Sequence, residues 1–173
     1  MVELGPLGKI ETGISGEVAW EKSAILGPRI KSGDEREQAL RHARFNSPLT
    51  WRTVYAKAET TGTDNVNGEE CYKVLLTPAS GKPETQFYSK KTGFLLKTTA
   101  TASSPMGEMA VEVEVSGYKE FGGVLYPTHS RQKGGGQAME ITITEVRLNE
   151  AVPAEYFALP ADVKALAGQD GRQ

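Results

Sequence analysis

The strongest constraint on the fold is the alternating segment 108–117, which reads EMAVEVEVSG. Met109, Val111, Val113 and Val115 fall on one side of an extended chain, and polar side chains fall on the other. A period of two is typical of a β-strand that has one face against an apolar environment and the other in water. This segment therefore predicts an antiparallel strand with one apolar and one solvated face.

Turn signals divide the neighbouring sequence into further strands. The dipeptide 67-NG-68 is a strong two-residue hairpin signal between the segments 53–62 and 70–78. The pair 122-GG-123 predicts a second hairpin. The triplet 134-GGG-136 predicts a flexible turn between strands. Most of the chain is thus predicted to be a series of antiparallel hairpins.

Another hairpin is predicted around the turn 90-KKTG-93, where aromatic and aliphatic residues flank two lysines. Its loop length places Phe87 opposite Leu96. We expect these two side chains and Phe94 to share one face of the sheet. Gln86 and Lys97 are then expected on the other face, in contact with water.

The last strand is predicted within 138–150, where Met139 and Ile141 point inward. The apolar phase slips further along, which predicts a β-bulge near residues 144–145. The segment 149–163 then alternates turn residues with apolar and aromatic ones. We expect it to be held in place by aromatic packing.

One segment has a helical period. In 32–46, Ser32 and Glu35 have the spacing of a capping box, and acidic residues crowd the first turn. This pattern predicts a helix of about three turns. The preceding segment 17–29 predicts a strand carrying Trp20, followed by an irregular loop.

These elements predict a mainly β (α+β) fold. A single curled antiparallel sheet would form an unclosed half-barrel, covered by one short helix. We expect one domain over residues 1–165 and a disordered tail over 166–173. A half-barrel of this kind leaves a concave apolar face that a single short helix cannot fill.

Composition excludes several classes of function. The chain has 173 residues and a formal net charge of −2, with both signs spread along the sequence. This argues against a nucleic-acid-binding surface, which would show a basic stripe. No apolar run approaches the roughly 20 residues of a transmembrane segment. The opening residues also lack the apolar core of a signal peptide.

The sequence offers no convincing catalytic or metal-binding constellation. His42 and His129 lie in separate segments without the spaced partners of a zinc site. Cys71 lies in an alternating strand and is expected to be a small buried thiol. Glu112 and Glu114 are expected on the solvated side of their strand, where charged residues are usual. We therefore expect no enzyme activity, no cofactor and no metal.

Four segments together resemble the LolA/LolB-like superfamily of periplasmic lipoprotein carriers and outer-membrane receptors. They are 13-GISGEVAWEKS-23, the long hairpin segment 68–97, 117-GYKEFGGVLYPTHSR-131 and 149-NEAVPAEYFALP-160. The resemblance implies an unclosed β-barrel around an apolar cavity, a periplasmic or otherwise extracytoplasmic location, and binding of acyl chains. Relative to that family, the chain is expected to lack the first strand and the long helix.

The function expected from pattern and resemblance is non-catalytic binding of lipid or lipoprotein acyl chains. The side chains expected to line the lipid-binding cavity are Phe87, Phe94, Leu96, Met109, Val111, Val113, Met139 and Ile141. The alternative is a structural or interaction domain of a larger envelope or secreted protein, with no small-molecule ligand. A homodimer through an unpaired strand edge is a further expectation.

Overall fold

The computed structural model of the protein describes residues 2–3, 9–24, 26–44, 49–104 and 107–170. Over these ranges the fold is mainly β, with two open antiparallel sheets and a few short helices, which confirms the predicted fold class. The predicted single continuous sheet is replaced by two. None of the helices in the described ranges combines the length and apolar character that a membrane crossing requires.

The elements follow one another in a simple order. The strands are β1 (Val2–Glu3), β2 (Lys9–Ser15), β3 (Val18–Ser23), β4 (Gly27–Ile30), β5 (Tyr55–Val66), β6 (Glu69–Pro78), β7 (Glu84–Ser89), β8 (Leu95–Ser104), β9 (Gly107–Phe121), β10 (Val124–Gly134) and β11 (Gln137–Thr142). The helices are α1 (Gly33–His42), α2 (Trp51–Val54), a 3₁₀ helix (Ala154–Phe157) and α3 (Ala161–Asp170).

The chain divides into two compact units, whereas the sequence predicted a single domain over 1–165. The first unit contains the described residues up to 44 and those from 151 onward. It holds the four-stranded sheet, in the order β1-β2-β3-β4. The second unit contains residues 49–150 and the seven-stranded sheet, in the order β11-β10-β9-β8-β7-β6-β5. Each sheet pairs strands that are consecutive in sequence.

In the first unit, Trp20 lies across the partner strand. It is paired with Gly13, and a methyl group added at Gly13 would lie 2.6 Å from the indole ring. The glycine is therefore required by the close approach of the ring. The strand β4 begins at Gly27, where the sequence predicted an irregular loop.

Helix α1 starts where the sequence predicted, but the capping box is wrong. Ser32 occupies the N-cap position in an extended conformation and makes no capping hydrogen bond. The Glu35 carboxylate instead accepts two bonds of 2.6 Å from the Arg29 guanidinium and one of 2.8 Å from Lys31. The hydrogen bonds from Arg29, and to a smaller extent the one from Lys31, lower the pKa of Glu35. The Glu35 carboxylate therefore forms a bidentate ion pair with Arg29 in place of the hydrogen bond to the Ser32 backbone that a capping box requires.

The hairpin turns of the seven-stranded sheet agree with their sequence signals. Asn67 and Gly68 both have positive φ and connect β5 to β6, as a two-residue hairpin requires. The pairs 122–123 and 135–136 also have positive φ at their turns. At the free edge, β5 carries two register irregularities. Such bulges oppose pairing of this strand with the edge of a second sheet. The structure thus gives no support to dimerisation through this edge, which stays a prediction.

The β7–β8 hairpin has a different register from the predicted one. Phe87 pairs with Lys97 and Tyr88 with Leu95, so that Leu96 is the extra residue of a bulge. Phe87 is therefore opposite Lys97 and not Leu96. The expectation that Lys97 faces away from Phe87 is also wrong, since the ammonium lies 5.4 Å from the centroid of that ring.

A small apolar core includes side chains of this hairpin. Val66, Cys71 and Phe87 are buried together, and Leu96 packs against them. Cys71 is fully buried, as expected, and burial raises the pKa of its thiol. The core therefore belongs to the face of the sheet that carries Phe87.

The end of the chain differs from the prediction in three ways. The strand β11 stops at Thr142, and residues 143–150 leave the ladder in place of the expected bulge. Tyr156 and Phe157 are 78% and 64% exposed, so aromatic packing does not hold this segment. The fully buried Val163 of α3 provides the apolar contact instead. Residues 166–170, expected in a disordered tail, are helical, and 171–173 lie outside the described residues.

Candidate functional site

Six large apolar side chains share one face of the seven-stranded sheet. We call this side the apolar face, and the residues are Met109, Val111, Val113, Val115, Met139 and Ile141. Their common side follows from the register, because β10 lies between β9 and β11 and pairs with both. Five of the six are half-buried, and Ile141 is exposed. The alternation in the sequence is thus realised as two apolar rows on the same face, one on β9 and one on β11, with β10 between them.

The middle strand of this surface carries smaller or polar side chains. Ser130 pairs with Val115 and Ile141, and Gln132 pairs with Val113 and Met139. Ser130 and Gly134 are smaller than the apolar residues on both outer strands, which leaves a shallow furrow along β10 that Gln132 interrupts.

Side chains of β9 cover one end of the furrow, at Gly134. A methyl group at this glycine would lie 3.3 Å from Cγ2 of Val111 and 3.9 Å from Sδ of Met109. The side chains of Val111 and Met109 therefore extend over the glycine backbone. Because methionine is unbranched and flexible, this end of the furrow can adapt to what it contacts.

On β7 the same face is polar, and on β6 it becomes apolar again at Val74 and Leu76. The register continues from Val113 through Thr98 to Gln86, and from Val111 through Ala100 to Glu84. Small side chains on β8 separate the apolar rows of β9 and β11 from this polar region on β7. The face as a whole combines an extended apolar region with a few polar groups, which is the usual composition of a ligand-binding surface.

A hydrogen-bonded cluster forms the polar region on β7. The Tyr55 hydroxyl and the Gln86 amide each donate a bond of 2.7 Å to the Glu84 carboxylate. The Tyr88 hydroxyl donates to the Gln86 carbonyl oxygen. Burial, with a smaller contribution from Glu84, raises the pKa of Tyr88. Sequence reasoning missed this cluster, because it placed Gln86 on a face in contact with water.

The structure brings five of the eight predicted lipid-binding residues together. Those on the apolar face are Met109, Val111, Val113, Met139 and Ile141. Phe87 and Leu96 are in the small core on the other side of the sheet. Phe94 stacks on Tyr118 with ring centroids 4.5 Å apart. The predicted set therefore does not line one cavity, because the bulge at Leu96 and the register of β7 place the hairpin aromatics elsewhere.

The opposite side of the same strands is charged. We call it the charged face, and its residues are Lys97, Glu112, Glu114, Arg131, Lys133 and Glu140. Glu112 contacts Lys97 at 2.6 Å and Lys133 at 2.9 Å. These two lysines, Lys97 first, lower the pKa of Glu112. Glu112 and Glu114 thus share the polar side of their strand, as expected, but their side chains are only 27% and 22% exposed, and lysines match the acidic groups there.

The residues considered for catalysis or metal binding are dispersed. His129 is exposed, with Nδ1 3.3 Å from the Thr142 hydroxyl, and His42 is exposed on α1. The Cys71 thiol is buried in the small core. Across the described ranges, no three or more His, Cys, Asp or Glu residues are grouped in a way that could hold a metal ion.

Comparison with known proteins supports the fold alone. No family model matches the chain, and no curated protein matches it. Among solved structures, the chain is similar to a DUF1329 family protein from Desulfovibrio piger. The TM-score is 0.54 at 17% sequence identity, over 88% of this chain and 70% of that one. At this identity the likeness concerns architecture and does not transfer a function.

Proposed function

We propose that the protein binds acyl chains of lipids or lipoproteins on the apolar face of its seven-stranded sheet, without catalysing a reaction. The observation that carries this proposal is the pair of apolar rows on β9 and β11, which share one face and are half-buried except at Ile141. Surfaces of this kind are rare on monomers unless they contact something, because exposed apolar area is unfavourable in water.

The magnitude of the interaction is sufficient for an acyl chain. Each buried methylene contributes about 0.8 kcal/mol, so that about ten of them contribute about 8 kcal/mol. The loss of translational and rotational freedom offsets at least about 4 kcal/mol of this. The remainder is at most about 4 kcal/mol, which corresponds to a dissociation constant of about 1 mM or weaker. Such weak binding suits a protein that must also release what it carries. An open, adaptable surface is consistent with such reversible binding.

We further propose that the protein acts outside the cytoplasm as a relative of the LolA/LolB-like carriers. Support comes from the four sequence segments that resemble that superfamily, and from a fold with the open antiparallel sheet that the resemblance implies. In this proposal, the first of these segments, 13–23, forms the β2–β3 hairpin with Trp20 on Gly13. The segment 117–131 forms the β9–β10 hairpin.

The decisive experiment places a charge on each face of the same strand. Met139 is on the apolar face, whereas Ala138 pairs with Lys133 on the charged face. We expect Met139→Asp to weaken the binding of a fluorescent fatty acid, measured by displacement, at least about tenfold. The reason is that a carboxylate next to the acyl chain loses hydration. Ala138→Asp introduces the same charge opposite a lysine and should leave binding nearly unchanged.

The result that would contradict the proposal is equal binding by the two variants, or no saturable binding by the wild type. Circular dichroism and thermal unfolding of both variants separate loss of binding from loss of fold. Native mass spectrometry of freshly purified protein provides an independent check, since a carrier should retain some lipid from its host.

A second candidate, an interaction domain of a larger assembly, is favoured by a different feature. The three consecutive residues after the β9–β10 turn, Val124, Leu125 and Tyr126, are all at least half exposed. Replacing Val124 and Leu125 with serine should leave fatty-acid binding intact if this hairpin only contacts another protein. Loss of fatty-acid binding in that double variant would instead assign the hairpin to the lipid site.

A further inference from the structure

Gln132 is a polar side chain within the apolar face. It lies on β10 and pairs with Val113 on one side and Met139 on the other. Its side chain is half-buried. The position would accept an apolar residue, since both register partners are apolar. A glutamine there keeps an amide donor and an acceptor on the surface where the proposed acyl chain lies.

A second glutamine in the same cross-strand row provides the comparison. Gln86 lies in the row that runs from Val74 through Thr98 and Val113 to Gln132. Its amide nitrogen donates to Glu84, and its carbonyl oxygen accepts from Tyr88, so both ends are used within the protein. For Gln132, the described part of the structure contains no side-chain hydrogen bond. One glutamine thus serves the fold, while the other is available to a ligand.

The neighbours of Gln132 on this face carry no charge. Those on its own strand are Ser130 and Gly134, and those diagonal to it are Val111, Val115, Gln137 and Ile141. A carboxylate or phosphate placed beside Gln132 would therefore lose hydration without gaining a cation. A neutral carbonyl would lose less and could accept a bond from the amide.

We propose that Gln132 is the polar anchor of the lipid site and selects acyl esters or amides over free fatty acids. The amide nitrogen donates to the carbonyl oxygen of the ester or amide group. In an N-acyl ligand, the Gln132 carbonyl oxygen can also accept from the ligand N–H. The alkyl chain then follows the furrow along β10, between the side chains of β9 and β11. This inference rests on the proposed function of the apolar face.

The test compares an ester with its free acid. Displacement of N-phenylnaphthylamine from the full chain is measured with methyl laurate and with laurate, for the wild type and for Gln132→Met, which keeps an unbranched side chain of similar length. We expect the wild type to prefer methyl laurate. The variant should bind methyl laurate about three- to tenfold more weakly, which is the range of one hydrogen bond. Binding of the naphthyl probe itself should persist.

Two further variants make the result specific. Gln137→Met makes the same exchange on the neighbouring strand and the same face, and should leave the ester preference unchanged. Gln132→Glu keeps the shape but removes the donor, and should lose the preference as Gln132→Met does. If both Gln132 variants retain the wild-type preference for methyl laurate, the inference is overturned. If the wild type binds neither probe nor ester, the acyl-binding proposal fails, and the inference fails with it.

Discussion

The two faces of β9 differ in how their side chains are satisfied. On the charged face, Glu112 is matched by Lys97 and Lys133 of the neighbouring strands. On the apolar face, Val111 and Val113 are only half-buried. One face thus completes its interactions within the sheet, while the other retains apolar surface that a ligand could cover. A binding surface can therefore be sought where side chains are neither buried nor paired within the protein.

The largest expected effect contrasts the small core with the apolar face. Phe87 is 5% exposed and packs with Val66, Cys71 and Leu96. Phe87→Ala should lower the free energy of unfolding by about 3–5 kcal/mol, because it leaves a cavity. Urea unfolding monitored by circular dichroism measures this. A cost below about 1 kcal/mol would show that the core can collapse around the missing ring.

The apolar face should be less important for stability than for binding. Val113→Ala removes two methyl groups from a half-buried position and should cost about 1 kcal/mol in the free energy of unfolding. Acyl-chain binding should weaken in the same variant. If Val113→Ala destabilises the protein as much as Phe87→Ala does, the apolar face is part of the core and the distinction between the two surfaces is lost.

The charged face can be tested by a double-mutant cycle. Lys133 and Glu112 are paired at 2.9 Å, with side chains 41% and 27% exposed. Glu112→Gln, Lys133→Met and the double variant should give a coupling energy of about 0.2–1 kcal/mol that falls with added salt. A coupling that does not depend on salt would contradict the solvated character of this face.

The smallest effect is a dependence of stability on pH. Because Lys97 and Lys133 lower the pKa of Glu112 in the folded state, its contribution is complete above the unfolded pKa of about 4.3. The contribution is lost as the pH falls through the lower folded pKa. Wild type should therefore lose slightly more stability on acidification than Glu112→Gln. Glu120→Gln, exposed near the end of the same strand, provides the control. Equal losses in wild type and Glu112→Gln would contradict the assignment.

Local chemistry allowed much of the sheet to be predicted. The alternation in 108–117 indicated which side chains of β9 share a face. The glycine and asparagine pairs indicated the turns, because left-handed backbone conformations are favourable for few residue types. The start of α1 at Ser32 was also predicted, although its capping bond was not. These features depend on residues that are close in sequence.

The candidate site could be predicted only in part. Alternation identified Met109, Val111 and Val113, but placed Phe87 with them although it lies on the other side of the sheet. The error arose at Leu96, where one extra residue in β8 changes the register. A one-residue shift moves every following side chain to the opposite face, and local composition does not reveal it.

The sequence was sufficient to predict that β9 has an apolar and a charged side, that its neighbours are joined by tight turns, and that Met139 and Ile141 belong with the apolar side. The register across strands was needed to show that Phe87 lies on the other side and that Gln132 lies between Val113 and Met139. The physical reason is that alternation is a property of one strand. Adjacency across strands depends on hydrogen-bond register between residues distant in sequence.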